Sequence, residues 1–156
     1  MIRLDIGSGI LPRDGFTGVD LYAEGPNVIK APMEHLPFED NTVEEIYSTH
    51  ALEHVGKYEV VPALVEWHRV LRPGGQLSID VPDMRWICTQ WLQYQDNAMS
   101  MDIVYGDQTN PGQFHKTGFT PAIGFAYLNA AGFRNEINCF KILRNTQESL
   151  LFVTTK

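Results

Sequence analysis

The stretch Leu4-Asp5-Ile6-Gly7-Ser8-Gly9 combines a short apolar run, an acid and two glycines one residue apart. This pattern is typical of a strand in an open α/β sheet that brings its backbone against a ligand. Gly7 and Gly9 permit a positive φ and let a bulky group touch the main chain. Asp5 can fix the turn or face a cationic part of the ligand. A plain tight turn explains the same residues, because a G-x-G after a strand is weak evidence alone.

A second acid stands at the end of the next predicted strand. Gly18-Val19-Asp20-Leu21 follows Asp5 closely enough to form the neighbouring strand. An acid at this strand tip can accept hydrogen bonds from both hydroxyls of a ribose, although a solvated strand end would look the same. The G-x-G-x-x-G count ends on Pro12, so the fingerprint of nicotinamide-dinucleotide binding is lost.

Further motifs follow these two strands in a definite order along the chain. They are Leu36-Pro37-Phe38-Glu39-Asp40, Glu45-Ile46-Tyr47-Ser48, Ala51-Leu52-Glu53-His54-Val55, Arg69-Val70-Leu71-Arg72-Pro73-Gly74-Gly75, Gln76-Leu77-Ser78-Ile79-Asp80-Val81-Pro82, Tyr105-Gly106-Asp107-Gln108, Phe114-His115-Lys116-Thr117-Gly118-Phe119 and Ala131-Gly132-Phe133. By their order and spacing, the series resembles the class I S-adenosylmethionine-dependent methyltransferases. It is most similar to their small bacterial "predicted methyltransferase" branch, and the resemblance covers nearly the whole chain.

The resemblance implies S-adenosylmethionine as cofactor and a set of residues that hold it. Those residues are Asp5, Gly7, Ser8, Gly9, Asp20, Leu21, Met33, Glu34 and Ser48. Met33 either packs on the adenine face or simply fills the core, and both interpretations stay open. Pro32 stands where the family commonly has an acid for the adenine amino group, and proline cannot take that role.

His50-Ala51-Leu52-Glu53-His54 matches H-x-x-E-H, a zinc motif of metallopeptidases. No third ligand follows at a diagnostic spacing, and His50 falls where a loop begins after the fourth predicted strand. We therefore expect no metal here. The alternative places Ser48 and His50 beside the methionine end of the cofactor, with His50 as a candidate catalytic residue, and Glu53 and His54 as supports of the turn.

His115 is the second candidate catalytic residue. It lies in a segment that we expect to be irregular from Asn97 to Gly118, because Gly106, Asn110, Pro111 and Gly112 interrupt it. Such a length is unusual for a connection and indicates a functional role or disorder. A histidine can act as a general base near neutral pH, but it can equally tie the loop down.

The elements that position these residues form an α/β fold in a single domain over residues 1–156. We expect a Rossmann-like, mostly parallel seven-stranded sheet with helices on both faces and an antiparallel C-terminal hairpin strand, as the resemblance implies. Six residues, 10–15, separate Gly9 from Phe16, too few for the usual crossover helix, so the first helix is reduced or absent.

Hydrophobic periodicity and capping signals place the other elements. An amphipathic helix is predicted over 58–71 and a second over about 83–94. Thr120-Pro121 begins a further helix that Gly132 ends. The last two strands are predicted around 137–142 and 150–154, joined by a hairpin at 144–147.

Composition narrows the compartment and the partners. Nineteen acids against twelve Lys and Arg give a net charge of −7, which disfavours nucleic acid as a partner. Two cysteines without C-x-x-C spacing, and no apolar run that could span a bilayer, favour a cytoplasmic protein without a membrane partner. The sequence leaves a homodimer open.

The expected function is methyl transfer from S-adenosylmethionine to a small-molecule acceptor, and a sugar or sugar-derived hydroxyl is suggested by the family association. A non-catalytic or degenerate cofactor-binding domain is the main alternative, because the first helix is missing and Pro32 replaces an acid. A nucleotide-dependent oxidoreductase is disfavoured because Pro12 breaks the dinucleotide-binding fingerprint. A zinc hydrolase is disfavoured because the His50 motif lacks a third ligand at a diagnostic spacing.

Overall fold

Seven strands form one mixed sheet in the computed structural model, which describes residues 1–93, 98–144 and 147–156. The strands are β1 (Ile2–Ile6), β2 (Thr17–Asp20), β3 (Val28–Lys30), β4 (Val43–Thr49), β5 (Leu71–Pro82), β6 (Asn138–Arg144) and β7 (Gln147–Thr155). Their order across the sheet is β3-β2-β1-β4-β5-β7-β6. The first five strands are parallel, and β7 runs antiparallel to both β5 and β6. The predicted Rossmann-like sheet is confirmed.

Four α-helices and two single 3₁₀ turns accompany the sheet among the described residues. The helices are α1 (Val60–Val70), α2 (Met84–Gln93), α3 (Ala98–Tyr105) and α4 (Pro121–Ala130). The 3₁₀ turns are Leu52–His54 and Pro111–Gln113. No helix in this part of the chain is long and apolar enough to cross a membrane.

Helix α1 supplies most of the helical contribution to the core. Its apolar face buries Leu64 and Trp67 fully, at the three- and four-residue spacing seen in the sequence. The indole Nε1 of Trp67 donates a hydrogen bond to the carbonyl oxygen of Met33 at 2.9 Å. The helix therefore anchors the segment after β3, which lies beside the candidate site.

The connection from β1 to β2 is a bare loop, as predicted, and β1 and β2 pair in parallel. The described residues between Ile6 and Val43 form no helix at all. Asp5 holds this loop, because its Oδ2 accepts a hydrogen bond from the Arg13 backbone N–H at 2.8 Å. The Arg13 guanidinium lies 3.7 Å from the centre of the Tyr47 ring, so the loop also contacts strand β4, to which Tyr47 belongs.

The prediction that residues 97–118 are irregular is wrong for the first part of this segment, because α3 occupies Ala98–Tyr105. The chain breakers that suggested a loop all follow this helix, and Gly106 ends it with a φ of +78°. Asn97 and the hairpin residues 145 and 146 lie outside the described residues. The predicted cap of α4 is confirmed: the Thr120 hydroxyl accepts from the Ile123 N–H at 3.3 Å, and Gly132 has a φ of +102°.

Candidate functional site

One large cavity, with a volume of about 840 Å³, opens at the carboxyl ends of β1, β2 and β4. Ligands bind at this edge in open α/β sheets, because the loops that leave parallel strands meet there. Two groups of lining residues differ in character. The glycine wall comprises Gly7, Gly9, Asp20, Leu21, Met33 and Glu34, and the histidine wall comprises His50, His54, Gln113, His115 and Lys116.

The two glycines of the glycine wall meet different surroundings. Both have a positive φ, +73° at Gly7 and +61° at Gly9. A Cβ at Gly7 would collide with the Cβ of Ala51, so glycine is needed there for packing inside the protein. Among the described residues, no heavy atom lies within 4 Å of the position that a Cβ of Gly9 would take. The Gly9 backbone therefore borders open space in the cavity.

Asp20 ends β2 and organises the glycine wall. Its Oδ2 accepts a hydrogen bond from the Gly9 N–H at 2.9 Å, and its Oδ1 accepts from the Tyr22 and Ala23 N–H groups at 2.8 Å each. A carboxylate has about four acceptor positions, so the side chain retains capacity for a ligand hydroxyl. The acid thus ties the glycine turn of β1 to the loop after β2 while facing the cavity.

Leu21, Met33 and Glu34, three of the predicted cofactor residues, complete this wall. Leu21 is exposed, with 44% of its surface accessible, and offers an apolar contact at the rim. Met33 is partly buried and packs against the core cluster while it also lines the cavity, so its position is compatible with both of the roles left open by the sequence.

Three predicted cofactor residues lie outside the cavity lining. Asp5 is buried and bonded to the Arg13 backbone, and burial raises the pKa of its carboxyl. The Ser8 hydroxyl donates to the Gly9 carbonyl at 3.1 Å. Ser48 is fully buried within β4. The structure therefore assigns Asp5 to the turn, the first of the two roles foreseen, and places Ser8 and Ser48 behind the lining.

His50 is the first residue after β4 and belongs to the histidine wall. It has a φ of +48°, and its backbone N–H donates to the Asp80 carbonyl at 2.9 Å. Its ring Nδ1 lies 3.2 Å from the Glu53 Oε1, and the Glu53 side chain is almost fully buried. Because a carboxylate oxygen accepts, the Nδ1 of His50 donates this hydrogen bond.

His115 reaches the same wall from the far end of the chain. Its backbone N–H donates to the Tyr105 carbonyl at 2.9 Å, and the next two N–H groups, of Lys116 and Thr117, donate to the Glu53 carbonyl. The ring centres of His115 and His54 are 4.9 Å apart. Burial lowers the pKa of His115, a cause that outweighs the opposing charge of Glu53, and so the neutral ring is favoured.

Sequence reasoning missed the clustering of His54 and Glu53 with His115. His54 was assigned only to a turn, yet its ring lines the cavity. Gly112 packs so closely on the Tyr22 ring that a Cβ there would clash with it, so the segment after α3 contacts the loop after β2 beside the cavity. The long segment before Gly118 was the one signal that pointed to this arrangement.

Comparison with known proteins agrees with this geometry. Residues 12–79 match the family model of a methyltransferase domain. No curated protein matches the sequence at a significant level. Neither the dehydrogenase alternative nor the zinc hydrolase alternative receives support.

Solved structures share the fold over 99% of this chain. One is 1,6-didemethyltoxoflavin-N1-methyltransferase of Burkholderia thailandensis with bound 1,6-didemethyltoxoflavin and S-adenosylhomocysteine, with a TM-score of 0.70, 19% identity and 70% of that chain covered. A second is an S-adenosylmethionine-dependent methyltransferase of Methanosarcina mazei, with a TM-score of 0.69, 16% identity and 91% covered. A third, from Mesorhizobium loti, has a TM-score of 0.66, 14% identity and 90% covered.

The mostly parallel seven-stranded sheet and the antiparallel β7 are those that the sequence resemblance implied. Residues 12–79 thus match a methyltransferase domain, and nearly the whole chain has the fold of solved S-adenosylmethionine-dependent methyltransferases.

Proposed function

We propose that the chain transfers the methyl group of S-adenosylmethionine to a hydroxyl group of a small, polar acceptor. The cofactor lies along the glycine wall, and the acceptor lies against the histidine wall. The observation that carries this proposal is the presence of both walls in one cavity of about 840 Å³, a volume within the range of small-molecule sites.

The glycine wall suits the nucleoside part of the cofactor. Gly9 offers backbone that a ligand can approach, since a Cβ there would point into open space. Asp20 is placed to accept hydrogen bonds from ribose hydroxyls, and Leu21 and Met33 offer apolar contact to a flat base. These residues fit the cofactor without the crossover helix that commonly follows the glycine turn.

S-adenosylmethionine supplies a methyl group that its sulfonium already activates. The protein therefore has to orient the acceptor toward that methyl and to exclude water, more than to provide a reactive group of its own. The contact of Gly112 with Tyr22 brings two segments of the cavity lining together, which supports this exclusion.

A hydroxyl acceptor must lose its proton as it is methylated. We assign this role to His50, because it lines the cavity and the buried Glu53 carboxylate accepts from its Nδ1 and orients the ring. The buried carboxylate also stabilises the imidazolium that forms. His115, the other candidate, has its Nδ1 on the Ile103 carbonyl at 2.7 Å, which stabilises an imidazolium less than a carboxylate does. We place it against the acceptor.

The acceptor class follows from the groups that the histidine wall presents. Gln113, Lys116 and the imidazoles offer hydrogen bonds at several points, as a sugar or sugar-derived molecule requires. The net charge of −7 opposes binding to a nucleic-acid backbone, so the proposed acceptor is a free small molecule.

Titration calorimetry with S-adenosylhomocysteine and with NAD, followed by a methyl-transfer assay over a panel of sugars and sugar nucleotides, tests the proposal. We expect one S-adenosylhomocysteine per chain, no heat from NAD, and transfer to at least one hydroxylated acceptor. Failure to bind S-adenosylhomocysteine would overturn the cofactor assignment. Binding with transfer only to nitrogen acceptors would overturn the acceptor class.

A further inference from the structure

We propose that Glu53, His54 and His115 form a binding site for one divalent transition-metal ion at the histidine wall. Each offers one ligand atom, and the three atoms lie within 4.8 Å of one another. The metal site itself does not depend on the proposed methyl transfer. This inference departs from the expectation of no metal, which rested on the lack of a third ligand near the H-x-x-E-H motif.

Both imidazoles are oriented by backbone carbonyls. The Nδ1 of His115 lies 2.7 Å from the Ile103 carbonyl oxygen, and the Nδ1 of His54 lies 3.2 Å from the Phe114 carbonyl oxygen. A carbonyl only accepts, so each Nδ1 carries the proton and each Nε2 keeps its lone pair. Histidines that bind a metal are commonly held in this way, with the second ring nitrogen donating to a carbonyl or a carboxylate.

Glu53 provides the second, independent observation. Glu53 is 1% exposed, and its Oε2 has no hydrogen-bond partner among the residues that the structure describes. A buried carboxylate oxygen without a partner costs free energy that a bound cation would remove. Because Oε1 lies beside His50, the same carboxylate can orient His50 through one oxygen and bind the metal through the other.

The chemistry of the ligand set selects the class of ion. Two imidazole nitrogens and one carboxylate oxygen suit Zn²⁺ and its first-row neighbours such as Co²⁺, and they suit Mg²⁺ and Ca²⁺ poorly. Metal–ligand distances of about 2.0–2.2 Å require closer ligand atoms than 4.8 Å, so small rotations of the side chains must accompany binding.

Three protein ligands leave at least one coordination position for a ligand from the cavity. His54 and His115 both line the cavity, so this position faces the side where we place the acceptor. A hydroxyl group bound there would lose its proton more readily. This last step rests on the proposed function, whereas the metal site does not.

The test begins with protein that has been dialysed against a chelator and then titrated with Co²⁺ and Zn²⁺. We expect one ion per chain, visible Co²⁺ absorption bands of a low-coordinate nitrogen and oxygen site, and a melting temperature that rises with Zn²⁺. His54→Ala and His115→Ala should each weaken Zn²⁺ binding by at least about tenfold to a hundredfold. His35→Ala removes an exposed histidine outside the cluster and should leave the affinity unchanged.

The metal proposal fails if the wild type binds no stoichiometric ion or if neither variant binds more weakly than His35→Ala. If a variant does not fold, the stoichiometry and the Co²⁺ spectrum of the wild type decide the question. S-adenosylhomocysteine binding is measured on the same samples, so loss of the metal proposal with cofactor binding intact is distinguishable from failure of the proposed function.

Discussion

The two walls of the cavity are built in different ways. The glycine wall takes all of its residues from 7–34, where each stands at or just after a strand end. Backbone groups and the Asp20 carboxylate organise it. The histidine wall joins the turn after β4 to a segment sixty residues further on, through the hydrogen bond from His54 to Phe114. Backbone geometry therefore governs the first wall, and the packing of titratable side chains governs the second.

The largest effect is expected at the histidine wall. His50→Gln keeps a polar side chain of moderate size but removes the proposed base, so kcat should fall by about 10²- to 10⁴-fold. The affinity for S-adenosylhomocysteine should stay within about twofold, because the imidazole acts on the acceptor and contributes little to cofactor binding. His35→Gln is the matched control. Equal kcat values for the two variants would contradict the assignment.

Within the glycine wall, substitutions of the two glycines should differ in their cost to stability. Gly7→Ala places a methyl group against Ala51 at a positive φ, which should cost about 2–5 kcal/mol and lower the melting temperature by roughly 5–15 °C. Gly9→Ala shares the positive φ but finds space, so its cost should be about 1–2 kcal/mol. Differential scanning calorimetry of both variants measures the difference. Equal decreases in melting temperature would contradict the close contact between Gly7 and Ala51.

Asp20→Ala should weaken binding of S-adenosylhomocysteine by about tenfold to a hundredfold, since hydrogen bonds to a charged group contribute about 1.5–3 kcal/mol. Asp14→Ala removes the same charge from an exposed position in the preceding loop, and its affinity should match the wild type. Titration calorimetry of the two variants checks this prediction. An unchanged Kd for Asp20→Ala would remove the acid from the cofactor site.

The smallest effect concerns the support behind the glycine wall. Glu66 in α1 accepts from the Leu36 N–H at 2.7 Å and from Arg69, and the Arg69 hydrogen bond holds the pKa of Glu66 below its usual value. This contribution is present above the unfolded-state pKa and is lost as pH falls through the lowered folded-state value.

We therefore expect Glu66→Gln to melt slightly below the wild type at pH 7, by about 1 kcal/mol or less in stability, and the gap to close in acid below the usual glutamate pKa. Thermal unfolding of both proteins across pH measures it. Glu39→Gln, at an exposed acid, is the control. A gap that persists in strong acid would show that the side chain acts by packing instead of by charge.

The contrast between the walls also explains how far the sequence could lead. The glycine turn, Asp20 and the bare loop to β2 were predictable because neighbouring strands bring their own ends together. Capping signals likewise predicted α4. Helix α3 was missed because the glycines and proline that follow it dominated the local pattern. Ser48 was placed at the cofactor from its strand position, but nothing local showed that its side chain faces the core.

The histidine wall could not be predicted in the same way. His115 meets Glu53 and His54 because the two residues that follow it, Lys116 and Thr117, donate backbone hydrogen bonds to the Glu53 carbonyl, which is far away in the sequence. No sequence spacing encodes that contact. The H-x-x-E-H motif therefore looked one ligand short of a metal site until the position of His115 was known.

The division of labour between the walls is tested most directly by mapping S-adenosylhomocysteine on the ¹⁵N-labelled protein by NMR. We predict the largest amide shift changes at Gly7, Gly9, Leu21 and Met33, with small changes at His115 and Lys116. Saturation of binding with the largest changes at the histidine wall, or with none at the glycine wall, would contradict the account.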